Sequence, residues 1–288
     1  MYPHRKAFRA ARVVCTGLLV ANRRIMNVLI VGCGWVGKNI ASHLLEAGCT
    51  LWATSRTPEK AAQLDQLGLH AHVVDFDREG AFEAWNGPTS FDAVVISVPV
   101  TRKDAYETVA SRFDRLASFL NRLSFRQSFF FGSVGIYPRE SAVVDEDSVP
   151  LHRLDKKLRL GETTLREAFP DVNVLRLGGL FGLERIVAKY FAGKVCEVGY
   201  QTTNFVHVND ICRILQLMLK KQIGRRTYNV VCPEHPLKKD VIMASAAKYG
   251  YDLPVLFTEA DHTAKIVSSA RLVAELDYSF VYRSPLQF

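Results

Sequence analysis

Three glycines with the spacing G-x-G-x-x-G follow a short aliphatic run near the beginning of the chain. Segment 28–37 reads VLIVGCGWVG and continues into KNIASHLLEAG, which has the pattern of an amphipathic helix. A strand, a glycine turn and a helix in this order direct unpaired backbone N–H groups toward a phosphate. Gly32 permits the tight turn, Gly34 lets bare backbone approach a diphosphate, and Gly37 lets the helix pack against the strand. The segment therefore predicts a dinucleotide-binding site.

The order of aliphatic and amphipathic segments in the rest of the chain supports this prediction. From Met26 onward, short aliphatic runs alternate with amphipathic stretches, as they do in βαβ units with buried parallel strands. The runs predict strands at 27–32, 50–54, 70–74, 92–98, 128–133 and 173–178, with helices near 36–47, 58–67, 102–123 and 154–168. The expected fold class is α/β, with a Rossmann-type doubly wound parallel sheet and a smaller C-terminal substrate lobe.

The alternation of strand and helix patterns becomes less regular after Gly182, and we place the boundary between the two expected domains there. The pattern there predicts a helix near 184–191, a strand near 203–206, a helix near 209–221, a strand at 227–231 and a helix near 238–249. We expect an NAD(P)-binding Rossmann domain over residues 26–182. Residues 183–288 are expected to form the smaller substrate lobe, interwoven with the Rossmann sheet.

The net charge of +8 is concentrated in a basic extension at residues 1–25. That extension holds six basic residues and no acidic one, so 31 of the 37 basic residues face all 29 acidic residues in the remainder. A nearly neutral body gives no reason to expect a nucleic-acid partner. The apolar run of the extension is shorter than a membrane span requires. Two interpretations remain: a targeting segment, or translation from a start codon upstream of a true start at Met26. We expect a cytoplasmic protein without a membrane partner, or organellar import if the extension is a transit peptide.

Cysteine and histidine spacing gives no indication of a metal site. The six cysteines are scattered, with no CxxC pair and no nearby histidine at metal-ligand spacing in the sequence, so we expect reduced thiols. His70 and His72 share one face of a predicted strand, where packing explains them better than metal binding.

The second predicted strand indicates which dinucleotide is bound. An NAD site carries Asp or Glu about 20 residues after the glycines, to accept hydrogen bonds from the ribose 2′-OH. This chain instead has Thr54, Ser55 and Arg56, with no acid before Glu59. Hydroxyls and a guanidinium suit a 2′-phosphate. The sequence therefore favours NADP(H) over NAD(H), unless Arg56 is only a solvated loop cation.

Further segments match, in order, the motifs of one superfamily. They are GCGWVG at 32–37, FFFGSVGIYPRE at 129–140, VVDEDSVP at 143–150, NVLRLGGLFG at 173–182, NFVHVND at 204–210 and TYNVVCPEHP at 227–236. On these segments the chain resembles the extended short-chain dehydrogenase/reductases, specifically the atypical NAD(P)-dependent epimerase/dehydratase-like branch. The resemblance runs from Met26 to about Leu276.

The resemblance implies roles for individual positions. Ser133 falls on the catalytic serine of the family, and Tyr137 follows it four residues later. His207 falls on a family histidine for which packing and substrate contact both remain open. Cofactor contacts are implied for the glycine loop, for the residues after the third strand that touch the adenine, and for the loop after the fourth strand. Together with the positions derived above, the expected cofactor residues are Gly32, Gly34, Trp35, Val36, Gly37, Ser55, Arg56, Asp75, Phe76, Ser97, Val98 and Pro99.

The chain departs from the family at its acid/base pair. The family places Tyr and Lys four residues apart on a helix, so that the cation lowers the pKa of the phenol. The matching positions here are Leu154 and Leu158, and no tyrosine occurs between Pro138 and Lys189. Three interpretations remain open: Tyr137 replaces the missing acid with Lys157 nearby, the protein binds NADP(H) as a non-catalytic sensor or regulator, or cofactor binding has been lost.

The expectation that combines these observations is an NADP(H)-binding oxidoreductase or epimerase acting on a small polar carbonyl or nucleotide-sugar substrate. Lys156, Lys157 and Arg159 form a cationic cluster that either contacts an anionic substrate or is a solvated helix face. Helices 102–123 and 154–168 correspond to the pair through which the superfamily dimerises, so the resemblance implies a homodimer. An apolar stripe at Val109, Phe113, Leu116 and Leu120 could face either the sheet or a partner subunit.

Overall fold

The computed structural model describes residues 25–288 except 81, 84 and 102, so nearly all of the basic extension lies outside the described residues. The strands are β1 (Asn27–Val31), β2 (Thr50–Ser55), β3 (His70–Val73), β4 (Ser90–Ile96), β5 (Ser124–Ser133), β6 (Val143–Val144), β7 (Asn173–Leu177), β8 (Gly179–Phe181), β9 (Val195–Cys196), β10 (Phe205–His207), β11 (Thr227–Val230), β12 (Leu256–Phe257) and β13 (Ile266–Val267). The helices are α1 (Trp35–Glu46), α2 (Pro58–Gln66), α3 (Tyr106–Leu120), α4 (Lys156–Ala168), α5 (Val208–Lys221), α6 (Lys238–Tyr249) and α7 (Ala270–Leu276).

Seven parallel strands form the central sheet in the order β11-β7-β5-β4-β1-β2-β3. The order reverses between β1 and β4, which pair directly, with Val28 opposite Ala93. A crevice opens at such a switch point, outside the carboxyl ends of the strands, and it is where ligands of this fold class bind. The predicted doubly wound parallel sheet is confirmed.

Helices cover both faces of the sheet and bury two separate apolar clusters. One face carries α1 and α5, which pack on each other and contribute Ile40, Leu44 and Leu215 to the first cluster. The other face carries α3 and α4. The stripe from Val109 to Leu120 is fully buried in that second cluster, so it faces the sheet. The homodimer stays a prediction.

Of two predicted elements of the C-terminal half, the structure contains one and lacks the other. The strand predicted at 227–231 is β11, which takes the outer position of the central sheet beside β7. The helix predicted near 184–191 is wrong, because only Ala188–Tyr190 forms a helical turn, of the 3-10 type. Gly182 and Leu183 have positive φ angles, 103° and 51°, which turn the backbone away from a helix before it begins. Three short parallel pairs, β8 with β10, β9 with β12 and β6 with β13, lie beside the sheet.

Within the described ranges, no helix is both long and apolar enough to cross a membrane.

Candidate functional site

The glycine-rich loop joins β1 to α1 at the switch point of the sheet. Gly32 has a positive φ of 77°, and a Cβ there would lie 2.9 Å from Val98 Cγ2, so the tight turn requires glycine. At Gly37 a Cβ would lie 3.1 Å from Cys33 Sγ and 3.2 Å from Ile30 Cγ2, which explains the close packing of helix on strand. At Gly34 a Cβ would meet only the Gly32 carbonyl oxygen, at 4.0 Å. Gly34 therefore leaves open space in front of the loop, as a bound diphosphate requires.

A cavity of about 450 Å³ extends along the carboxyl edge of the sheet from this loop, and we name it the glycine-loop cleft. It gathers residues from the ends of β1, β2 and β4 and from the segment after β3, which the parallel topology brings to one edge. The predicted cofactor residues that line it are Gly32, Gly34, Trp35, Val36, Ser55, Arg56, Asp75, Phe76, Ser97, Val98 and Pro99. Of the predicted set, only Gly37 does not line the cleft, since its position is packed against the strand.

At the end of β2 the cleft is cationic. Arg56 is 65% exposed at its side chain, and Nη1 lies 3.8 Å from Asp77 Oδ2, a distance at which the ion pair is weak. Lys60 in the first turn of α2 also lines the cleft. Thr54 has a different role from the predicted phosphate donor, because its buried hydroxyl accepts a hydrogen bond from Gly32 N–H at 2.9 Å. Ser55, Arg56 and Lys60 remain available for a 2′-phosphate.

Arg112 was not predicted as a site residue, and it joins the two loops that line the cleft after β3 and β4. Its guanidinium donates to Asp77 at 2.7 and 3.0 Å, to Asp104 at 2.9 Å and to the Pro99 carbonyl at 3.0 Å. Burial tends to raise the pKa of Asp104, but hydrogen bonds from Arg112 and from Thr101 lower it overall. The Asp104 carboxylate therefore stays ionised, and Arg112 holds the loops after β3 and β4 together.

A second cavity of about 910 Å³ adjoins the cleft, and Ser133 and Leu158 line both. Its wall is polar and carries the cationic side chains Arg139, Arg153, Lys157, Lys238 and Lys265. Leu154 does not fill this cavity, since it is buried in an apolar cluster with Val144. Of the predicted cationic cluster at the start of α4, only Lys157 lines the cavity; its Nζ donates to the Asp104 carbonyl at 2.9 Å.

Ser133 lies at the carboxyl end of β5, between the two cavities. Its Oγ accepts a hydrogen bond from Gly135 N–H at 3.0 Å. Among the described residues, no acceptor takes the Ser133 hydroxyl proton, so the proton can be donated to an oxygen of a bound ligand. This geometry suits the role that the family resemblance implies.

Tyr137 is placed differently from a proton donor, although it borders the second cavity. The residue is 2% exposed, and its hydroxyl donates to Asn229 Oδ1 at 2.8 Å while accepting from Arg176 Nη1 at 2.8 Å. Arg176 is itself held by a buried bidentate ion pair with Glu162, at 2.9 and 2.7 Å. Burial raises the pKa of Tyr137 despite the nearby arginine. The geometry argues against the predicted catalytic role, because the phenolic proton is committed to Asn229 inside the protein.

The three histidines discussed from the sequence, His70, His72 and His207, pack against aromatic rings. His207 stacks on Tyr282 with ring centres 3.5 Å apart, its Nδ1 accepts from Asn209 N–H, and burial lowers its pKa to about 4. His70 stacks on Trp52 at 4.4 Å, and His72 lies 4.5 Å from Trp85. In the part of the chain that the structure describes, no group of three or more His, Cys, Asp or Glu side chains could hold a metal ion.

Comparison with known proteins finds a family model and individual proteins that resemble this chain. The model of the NAD dependent epimerase/dehydratase family matches residues 28–155, from β1 to the start of α4. This match confirms the predicted resemblance to the NAD(P)-dependent epimerase/dehydratase-like family over residues 28–155.

Individual relatives extend the similarity over nearly the whole chain. Protein YeeZ of Escherichia coli K12 is 25% identical over 268 residues, which are 90% of this chain and 97% of YeeZ. The Bordetella bronchiseptica enzyme WbmG, solved in complex with NAD, is 19% identical, with 93% of each chain covered and a TM-score of 0.74. The human epimerase family protein SDR39U1, solved with NADPH, is 18% identical, with 91% of this chain and 97% of its own covered and a TM-score of 0.70.

Proposed function

We propose that the protein binds NADP(H) in the glycine-loop cleft and acts as an oxidoreductase or epimerase on a small polar carbonyl or nucleotide-sugar substrate. The observation that carries the proposal is the open space in front of Gly34, at the switch point of a parallel sheet, in a cleft that Ser55, Arg56 and Lys60 also line. Cofactors named for two structural neighbours, NADPH for SDR39U1 and NAD for WbmG, support the choice of a nicotinamide dinucleotide.

The residues of this chain would bind and orient the reactants. When bound, the nicotinamide of such a cofactor supplies or accepts a hydride. Backbone N–H groups of the glycine loop would bind the diphosphate, and Ser133 would donate its free hydroxyl proton in a hydrogen bond to a substrate oxygen. Lys265 lines the second cavity, and burial lowers its pKa, which makes its ammonium a better acid. It is therefore a better candidate than Tyr137 for delivering a proton.

A second candidate function is a non-catalytic NADP(H)-binding sensor. The observation that favours it is the loss of the family acid/base pair, since Leu154 is buried, Leu158 is apolar and the Tyr137 hydroxyl is committed to Asn229. The open polar cavity beside Ser133 is compatible with either function, because a sensor also needs a place for its second ligand.

The experiment that separates the two combines NADPH with aldehydes, ketones and nucleotide sugars. NADPH absorbance follows reduction, and chromatography of the sugars detects epimerisation, which consumes no net cofactor. We expect turnover that Ser133→Ala reduces by about 10- to 1000-fold, as loss of a donor to a reacting oxygen does, without weakening NADPH binding. Ser118→Ala, at an exposed serine of α3, is the matched control. Tight NADPH binding without any conversion in the panel would instead favour the sensor.

A further inference from the structure

A turn from the C-terminal half of the chain lies over the glycine-rich loop. We name residues 182–185, which directly follow β8, the strap. Gly182 and Arg185 bond to each other through their backbones, at 3.0 and 3.3 Å, and the positive φ angles of Gly182 and Leu183 close the turn. A Cβ at position 182 would overlap the imidazole of His207. The strap is therefore fixed by its backbone conformation and by its packing on β10.

Trp35 of the glycine-rich loop is the residue on which the strap rests. The indole Nε1 donates a hydrogen bond to Glu184 Oε2 at 3.1 Å. The guanidinium carbon of Arg185 lies 4.6 Å from the centre of the indole ring, within the range of a cation–π interaction. Trp35 and Arg185 both line the glycine-loop cleft, although they are far apart in the sequence. The contact holds a positive charge beside the loop.

Arg185 is the cation of the cleft that has no other assignment. Four cationic side chains line the cleft among the described residues: Arg56, Lys60, Arg112 and Arg185. Arg56 and Lys60 lie at the end of β2, and Arg112 is fully engaged by Asp77 and Asp104. Arg185 is half-buried and forms no ion pair within the described ranges. Arg185 contacts the glycine loop through the ring of Trp35, and this contact places its charge beside the loop.

We propose that Arg185 binds the diphosphate of the dinucleotide, with Trp35 as the platform that holds its guanidinium in position. This inference rests on the proposed function of the cleft. A guanidinium suits the role because its planar fork of N–H donors matches phosphate oxygens, and because stacking on an aromatic ring restricts its rotamers before the ligand binds. The Glu184 carboxylate next to it accepts the indole N–H, which lowers its pKa, so the strap also carries a negative charge that Arg185 must outweigh.

Binding measurements with three ligands test the proposal without any assay of activity. NADPH and 2′-phospho-ADP-ribose contain the diphosphate, whereas adenosine 2′-monophosphate keeps the adenosine and the 2′-phosphate but has no diphosphate. Affinities are measured by calorimetry, with competition for the weak ligand. We expect Arg185→Gln to weaken the two diphosphate ligands by about 10- to 100-fold, as loss of a charged hydrogen bond does, and adenosine 2′-monophosphate by less than about threefold.

Two further variants keep the test decisive. Arg185→Lys retains the charge without the fork, so we expect the same selectivity among the ligands with a smaller loss, even if Arg185→Gln fails to fold. Arg213→Gln removes a charge from an exposed position of α5 outside both cavities and should change no affinity. Equal losses for all three ligands, or no loss for the diphosphates, would overturn the role of Arg185 alone. Wild-type protein that binds no nicotinamide dinucleotide would overturn the proposed function as well.

Discussion

Replacing Tyr137 by phenylalanine distinguishes a structural tyrosine from a catalytic one. The substitution removes only the hydroxyl, which lies 2.8 Å from both Asn229 Oδ1 and Arg176 Nη1 in a site that is almost fully buried. The variant leaves one acceptor and one donor without their partner. Because an unsatisfied buried polar group costs about 1–3 kcal/mol, we expect a loss of that order in the free energy of unfolding.

The expected loss is large enough to measure by thermal denaturation. For a chain of this size, 1 kcal/mol corresponds to roughly 2–4 °C, so Tyr137→Phe should lower the denaturation midpoint by roughly 2–12 °C. NADPH affinity should not change, and any turnover should stay within about threefold, since general acid catalysis by Tyr137 would contribute about 10²- to 10⁴-fold. Tyr106→Phe, at an exposed position of α3, is the matched control and should leave the midpoint unchanged.

The opposite pattern would refute this reasoning. If Tyr137→Phe keeps the wild-type denaturation midpoint but reduces turnover by 100-fold or more, the hydroxyl acts on the substrate. Its hydrogen bond to Asn229 would then not be what the protein needs the hydroxyl for. The family resemblance, which put Tyr137 nearest to the missing acid, would then have been the better guide.

Three further predictions concern the cleft and the packing beneath it. Arg56→Ala should weaken NADPH binding by about 1.5–3 kcal/mol, the strength of a charged hydrogen bond, and leave NADH binding unchanged. Arg213→Ala, which removes an exposed arginine of α5 outside the cleft, should change neither affinity in calorimetry. Gly34→Ala should weaken NADPH binding by about 10-fold or more without lowering the denaturation midpoint, because its methyl group enters the open space of the cleft. Gly37→Ala should instead lower the midpoint by a few degrees, because its methyl group would crowd Cys33 and Ile30. The folded-state pKa of His207 is about 4, below the unfolded value of about 6.5, so unfolding takes up a proton between these values. The free energy of unfolding, measured with urea, should therefore fall by on the order of 3 kcal/mol through this group as the pH falls from 6.5 to 4. His207→Asn keeps a side chain that can cap α5 and should remove that part of the pH dependence.

The sheet and the glycine loop were predictable because their signals are local. A strand buried on both faces has to be aliphatic along its whole length, and the turn between β1 and α1 requires glycine at Gly32 and Gly37 for reasons within a few residues. The parallel topology then brings the strand ends to one edge. The family resemblance implied cofactor contacts after the third and fourth strands, and this topology places those residues in the same cleft as the glycine loop.

The surroundings of Tyr137 depend on contacts that are distant in the sequence. Tyr137 follows Ser133 by four residues in the chain, but its hydroxyl is held by Arg176 and Asn229, which come from β7 and β11. No local pattern gives the pairing of those strands. The spacing of Lys60 four residues after Arg56, across the start of a helix, was a signal that could have added it to the cationic end of the cleft.

The C-terminal half shows the same limit at the strap. Segment 184–191 is amphipathic enough to predict a helix, but the structure has left-handed backbone at Gly182 and Leu183 and a single 3-10 turn at Ala188–Tyr190. Leucine does not favour the left-handed conformation, so its residue type does not indicate that the turn extends to position 183. The contact between Arg185 and Trp35 follows from the turn and was equally hidden.

The central claim is that the glycine-loop cleft binds a nicotinamide dinucleotide carrying a 2′-phosphate. Titration calorimetry of the purified protein with NADPH and with NADH tests it most directly. The account predicts one site with an affinity for NADPH that exceeds the affinity for NADH by about 10-fold or more. Absence of binding to both dinucleotides would contradict the claim, and equal affinity for the two would contradict the assignment of the 2′-phosphate to Ser55, Arg56 and Lys60.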